Sequence, residues 1–377
     1  MSARGHLRPS CTIAADGSLS PDSFRPARMP MTAALGQQRT CPLPNNRNID
    51  VGYISELPTA TCPMSHGLTA ALTPARSKSP SLVARVMRIC LRILVKRGLR
   101  ANPSVEATRR HLRILGRLVP RPPRGTETIA IDAGGVPADR VATTASRHDR
   151  HILYLHGGGY VTGWPGLCRD LTWRLATLCR VCVLSIDYRL APEHPFPAAL
   201  DDAIAAYRWL LAQGADPKRI ALMGDSAGGG LVFATMLRLR DEDVELPAAA
   251  VVVSPWTDLA LTGQSLHLNA LIDPLIPVEL APRLVDLCLA GANPRNPYAS
   301  PLYGDPTGLP PTLILVGSDE VLRDDAVRIA DKMRATGCHV EIEVWPHMWH
   351  VWYMCMRVMP EAMAAIARIA KFMDDKL

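Results

Sequence analysis

A chain of 377 residues with 48% apolar and 20% charged side chains has a globular composition, unlike fibrous or disordered proteins. It contains no run of about 18 apolar residues that could span a membrane, and no apolar signal-peptide stretch opens it, so a cytoplasmic protein is expected. The net charge of +7 invites a nucleic-acid or membrane partner until it is located: residues 81–124 carry 12 Lys/Arg against the single acid Glu106, whereas residues 125–377 carry 22 basic and 30 acidic side chains.

Residues 1–80 hold ten of the 33 prolines and show almost no periodicity, which predicts a disordered N-terminal extension. Ser81–Arg100 is helix-periodic. Arg85, Arg88, Arg92 and Lys96 share one narrow face, and Val83, Met87, Cys90 and Leu94 lie opposite. Asn102-Pro103 opens a second basic helix that runs to about Leu118 and is stopped by Pro120, Pro122 and Pro123. Basic helices of this kind lie on anionic lipid, which makes 81–124 a candidate peripheral membrane contact. The absence of aromatics from this segment argues against RNA, and no nucleic-acid partner is expected.

After Thr126, short apolar runs alternate with helical stretches. Strands are predicted at Thr128–Ile131, Arg140–Thr143, Ile152–Leu155, Val181–Ile186, Ile220–Met223, Ala250–Val253, Thr312–Val316 and Val340–Val344. Helices are predicted at Ala198–Ala212, Ala227–Arg240 and Asp325–Ala335. The alternation implies an α/β fold with a mostly parallel sheet covered on both faces. The ten cysteines are scattered and read as reduced thiols. Cys179 and Cys182 form a lone C-x-x-C without the further ligands that zinc needs, so neither a metal nor a cofactor is expected.

The chemistry gathers after the strands. Ile220–Met223 leads into Gly224-Asp225-Ser226-Ala227-Gly228 and then a helix. This is the nucleophile-elbow setting, with Ser226 on a strained turn at a helix N-terminus. His156-Gly157-Gly158-Gly159 follows Ile152–Leu155. Its glycines let backbone N–H groups approach a developing oxyanion together with that of Ala227. A serine nucleophile needs a base, and the base needs an acid to orient it. Asp319 lies just past the strand end after Val316, with Glu320 as its nearest rival and Asp324 and Asp325 placed to cap the next helix. Either His347 or His350 can be the base; His350 lies further into the loop, between Trp349 and Trp352.

HGGGY, DYRLAPEHPFPAALDDA, GDSAGGG, SPWTDL, GSDEVLRDD and HMWHVW, in this order, resemble the hormone-sensitive-lipase family of bacterial carboxylesterases within the α/β-hydrolases. The resemblance implies an eight-stranded, mostly parallel sheet with a helical cap built from 81–125 and an insertion at about 261–297. It implies Ser226 as nucleophile, Asp319 as acid and His350 as base. Gly158, Gly159 and Ala227 would supply the oxyanion hole, and His156 and Gly157 would support that loop. Cys168-Arg169 stands where family members usually show His-Arg. The apolar face of Ser81–Arg100 would then line or close over a hydrophobic acyl site. The implied partner is a small ester of short to medium acyl chain; the oligomeric state, a homodimer included, is left open. A lactone hydrolase with the same triad and a non-catalytic ligand-binding protein on the same fold are the alternatives.

Overall fold

The computed structural model describes residues 79–377, so all but the last two residues of the expected disordered extension lie outside the described part. Eight strands form one sheet: β1 (Thr126–Asp132), β2 (Pro137–Thr143), β3 (Arg147–Leu155), β4 (Val181–Ile186), β5 (Ile220–Asp225), β6 (Ala249–Val253), β7 (Thr312–Gly317) and β8 (Val340–Trp345). Their order is β1-β2-β4-β3-β5-β6-β7-β8. The pairs β1–β2 and β2–β4 are antiparallel; every other pair is parallel. β4, β5 and β6 are buried along their whole length, as their continuous Val, Ile, Leu and Ala runs require of a sheet covered twice.

Ten helices are described: α1 (Leu82–Cys90), α2 (Arg97–Arg100), α3 (Val105–Leu118), α4 (Arg169–Leu178), α5 (Ala198–Ala212), α6 (Ala227–Asp241), α7 (Ser265–Leu268), α8 (Ala281–Leu289), α9 (Arg323–Ala335) and α10 (Pro360–Lys376). Residues of α5, α6 and α9 share one apolar core with the sheet, and those of α4 and α10 share the other. The stretch 261–297, carrying α7 and α8, leaves the sheet after β6. None of the described helices is long and apolar enough to cross a membrane.

The sheet's crossing direction reverses at β3, whose neighbours are β4 on one side and β5 on the other. In open parallel sheets a crevice forms at such a point, at the carboxyl ends of the strands. The segments that leave β3 and β5 are the histidine-glycine loop and the Ser226 turn, so topology alone sets them side by side.

α1 continues through a π-helical stretch, Leu91–Lys96, into α2. Its orientation is the reverse of the sequence expectation. Three residues of the basic face bond to the body: Arg88 reaches the Ile272 carbonyl, Arg92 the Leu271 carbonyl at 2.9 Å and Lys96 the Ala270 carbonyl at 2.7 Å, while Arg85 stays exposed. Val83, Cys90 and Leu94 turn out to solvent, and only Met87 of the expected apolar face packs on the core. Backbone carbonyls at 270–273 need donors, and arginine and lysine supply several each, which sets which side faces in. Cys179 and Cys182 are buried and form no disulfide. Burial pushes the Cys179 thiol up to about 12.

A Cβ on Gly228 would lie 2.0 Å from the Leu155 carbonyl oxygen, and one on Gly224 would lie 2.4 Å from that of Gly228. α6 therefore sits against the ends of β3 and β5 only because both positions are glycine. Gly228→Ala is expected to cost about 1–3 kcal/mol of stability, read as a Tm lower by several degrees in calorimetry; an unchanged Tm would contradict this account.

Candidate active site

Ser226 occupies the turn between β5 and α6 at φ 53° and ψ −123°, a conformation that costs a non-glycine residue energy. Bonds on both sides hold it there. Its N–H donates to the Val253 carbonyl at 3.0 Å, and its carbonyl accepts from Gly229, Gly230 and Trp256. Ser226 Oγ lies 2.9 Å from His350 Nε2, and His350 Nδ1 lies 2.9 Å from Glu320 Oε2. Hydroxyl, imidazole and carboxylate thus form one continuous hydrogen-bonded line, with Ser226 half-buried at its open end.

The carboxylate against His350 is that of Glu320, which corrects the expectation of Asp319. After β7 the backbone is pinned by the Ser318 N–H on the Trp345 carbonyl and the Asp319 N–H on the Met348 carbonyl. The consecutive side chains at 319 and 320 then face opposite ways. Glu320 points inward, fully buried; its other oxygen accepts from Ser254 Oγ at 2.9 Å and from the Gly317 N–H. Asp319 points outward, where Arg88 of α1 meets it at 2.7 Å and Ser318 Oγ at 2.6 Å. Asp324 and Asp325 anchor the chain after β6: Asp324 accepts from the Ser265 N–H, and Asp325 from those of Thr257 and Asp258. Burial, with Asp258 close by, pushes the Asp325 carboxyl up to about 8.

His347 is exposed and reaches neither Ser226 nor an acid; its N–H donates to Ser318 Oγ and its carbonyl accepts from Arg88. His350 is buried, as are its sequence neighbours Trp349 and Trp352. Burial opposes charge on the His350 ring, but the Glu320 hydrogen bond and charge outweigh it and hold its pKa above the ordinary histidine value. Burial likewise raises the Glu320 carboxyl, against the pull of His350.

Gly158 and Gly159 adopt φ of 131° and 63°, and the Gly158 carbonyl accepts from Val161 and Thr162. That turns the loop so that the N–H groups of Gly158 and Gly159 donate to no acceptor among the described residues. Ala227, as the first residue of α6, has an N–H with no intrahelical partner. His156 supports the loop: fully buried, it stacks on Tyr188 at 4.2 Å and contacts the Gly157 carbonyl at 2.9 Å through Nδ1. Burial drops its pKa to about 4, so the ring is neutral. Tyr188 of the DYRLAPE stretch donates to the His156 carbonyl at 2.6 Å. Arg189 of the same stretch pairs with Asp202, and Glu193 with Arg109 of α3. Cys168 is buried within hydrogen-bond reach of Tyr154.

Four participants escaped the sequence reading. Ser254 opens SPWTDL at the end of β6, and only its place at a strand end could have marked it. Tyr154 and Tyr353 both donate to the buried Asp225 carboxylate beside the nucleophile. They lie 199 positions apart, and no local pattern links them. Arg88 belonged, on spacing alone, to a solvated basic face.

A family model described as alpha/beta hydrolase fold matches residues 152–354. An acetyl-hydrolase of Streptomyces hygroscopicus is 45% identical over 249 residues, covering 63% of this chain and 83% of that protein. An esterase of Acinetobacter venetianus is 35% identical over 283 residues, covering 75% of this chain and 93% of its own. The crystal structure of an esterase from the bacterial hormone-sensitive lipase family superposes with a TM-score of 0.74 at 41% identity, covering 79% of this chain and 99% of that one. With the fold, the elbow and the glycine loop in place, this chain belongs to the hormone-sensitive-lipase family of α/β-hydrolases and is a carboxylic ester hydrolase.

Proposed function

We propose that the chain cleaves esters of short to medium acyl chains by acyl transfer, with Ser226 as nucleophile, His350 as base and Glu320 as the orienting acid. The observation that carries this reading is the unbroken 2.9 Å and 2.9 Å relay from Ser226 through His350 to Glu320. His350 Nε2 takes the hydroxyl proton as Ser226 Oγ attacks the ester carbonyl. The N–H groups of Gly158, Gly159 and Ala227 receive the charge that develops on the carbonyl oxygen. The imidazolium then returns the proton to the departing alkoxide, and water repeats the cycle on the acyl-enzyme. Glu320 keeps the Nδ1 proton in place and balances the charge on the ring.

The short end of the acyl range is supported by the wall beside the oxyanion loop. A Cβ on Gly159 would lie 3.2 Å from Leu284 of α8, and Val161 packs in the same apolar cluster with Leu287. An apolar acyl group meets this wall close to the reacting carbon. The similarity to an acetyl-hydrolase points the same way.

Ser226→Ala is expected to abolish p-nitrophenyl acetate turnover in a folded protein; retained turnover would sink the assignment. Glu320→Gln should lower kcat about 10³–10⁴-fold, as loss of an orienting carboxylate does elsewhere. Asp319→Asn should stay within about tenfold of the parent, a difference of about 1.4 kcal/mol; the reverse ranking would restore Asp319 as the acid.

A base must be neutral to accept a proton, so kcat/KM falls as pH drops through the raised His350 pKa. The acid limb should therefore centre above the ordinary histidine value of 6.5. Glu320→Gln should move that limb to lower pH, and Asp319→Asn should leave it in place, in a pH–rate profile of each variant.

Across p-nitrophenyl esters from acetate to palmitate, turnover should be fastest at the short end and slowest at palmitate. A rate that climbs toward palmitate would overturn the short-chain reading.

A further inference from the structure

α1 and its continuation form an amphipathic helix held to the body through Arg88, Arg92 and Lys96. Leu82, Val86, Ile89 and Ile93 recur at i, i+4, i+7 and i+11 and form one exposed aliphatic stripe. Leu82 is 75% exposed and Leu94, beside the stripe, 74%. In the loop against which Arg88 and Arg92 bond, Leu271 is itself 77% exposed. Scattered surface leucines need no explanation, but a periodic stripe of this length does. The opposite side of the helix is fixed to the body at several points. Ser81 bonds Glu361 through its N–H at 2.7 Å, Arg88 grips Asp319 and the His347 carbonyl, and Lys96 is buried on the Ala270 and Asp273 carbonyls. The stripe therefore cannot turn inward without breaking these bonds.

The charge around the stripe selects its occupant. Between Ser81 and Ser104 there is no Asp or Glu, while Arg85, Arg97 and Arg100 are exposed along the helix. Among the described residues, Arg100 alone of these three pairs with a carboxylate, Glu279 at 3.5 Å, itself exposed. A second copy of the chain fits poorly, because a two-fold contact through this helix would bring one basic, acid-free surface against another. A nucleic acid would want aromatic stacking, and the segment has no Phe, Tyr or Trp.

We infer that the exposed stripe of α1 is an interfacial anchor that docks the enzyme on an anionic phospholipid bilayer. Aliphatic side chains enter the headgroup boundary, and the flanking arginines meet lipid phosphates. Because Arg88 ties this helix to the residues beside Glu320 and His350, docking through the stripe holds the catalytic loops at a constant position relative to the bilayer. The anchor stands apart from the proposed roles of the triad and can fail or hold independently of them.

The test is co-sedimentation of the purified full chain with phosphatidylcholine vesicles, with and without phosphatidylglycerol. The full chain should pellet with the phosphatidylglycerol vesicles and far less with the neutral ones. The double variant Ile89→Asp/Ile93→Asp should cut the bound fraction about tenfold or more. Both substitutions are at exposed positions, so turnover of dissolved p-nitrophenyl acetate should be unchanged; that turnover reads the hydrolase separately. The anchor would be overturned by a full chain that stays in the supernatant, by equal binding of the double variant, or by equal binding to neutral vesicles. A dimer in sedimentation velocity that the double variant dissociates would assign the stripe to a second copy instead.

Discussion

The site depends on a steric constraint at the junction of β5 and α6. Ser226 can hold a positive φ only because the backbone on both sides of it is bonded to β6 and to its own helix. The helix can approach β3 closely enough to form those bonds only because Gly224 and Gly228 present no Cβ. Once that contact exists, the order of strands places the glycine loop of β3 beside the serine, and the ends of β7 and β8 within reach on the other side. The strained residue is thus held by β6 and α6, while the loops after β3, β7 and β8 bring the other groups of the site to it.

Much of this was legible in the chain. All eight strands overlap the runs that predict them, and β4, β5, β6 and β7 are the plainest, because a strand buried on both faces leaves little room for polar residues. Ser226, His350 and the glycine loop were readable because their chemistry requires particular residue types beside particular elements. The acid was not. Asp319 and Glu320 are neighbours in sequence, and which of the two faces the histidine is decided by hydrogen bonds to Trp345 and Met348, residues nearly thirty positions downstream. A one-residue difference in direction across a turn leaves no trace in composition.

The orientation of α1 was illegible for a similar reason. Periodicity shows that a helix has two faces without showing which one the body accepts. Here the body offers bare carbonyls at 270–273 and a carboxylate at Asp319, and so it takes the basic face. The same logic holds for α3, where Arg109 donates to the Val161 and Ala191 carbonyls and pairs with Glu193. Four of the segment's twelve basic side chains, Arg88, Arg92, Lys96 and Arg109, therefore serve as hydrogen-bond donors to loops of the body, and the overall charge of the chain says little about its partners.

The grips of Arg88 and Arg109 bear on how such enzymes diversify. One holds the loop that carries the acid, and the other holds the turn that follows the oxyanion donors. Residues 82–118 are consequently not an exchangeable module laid over a finished hydrolase. A chimera that receives these helices from a relative inherits a working site only if the incoming side chains find the same carbonyls and carboxylates. Drift in the N-terminal helices and drift in the loops at 160–193 and 318–347 are thereby constrained to proceed together, however different the two regions look when aligned separately.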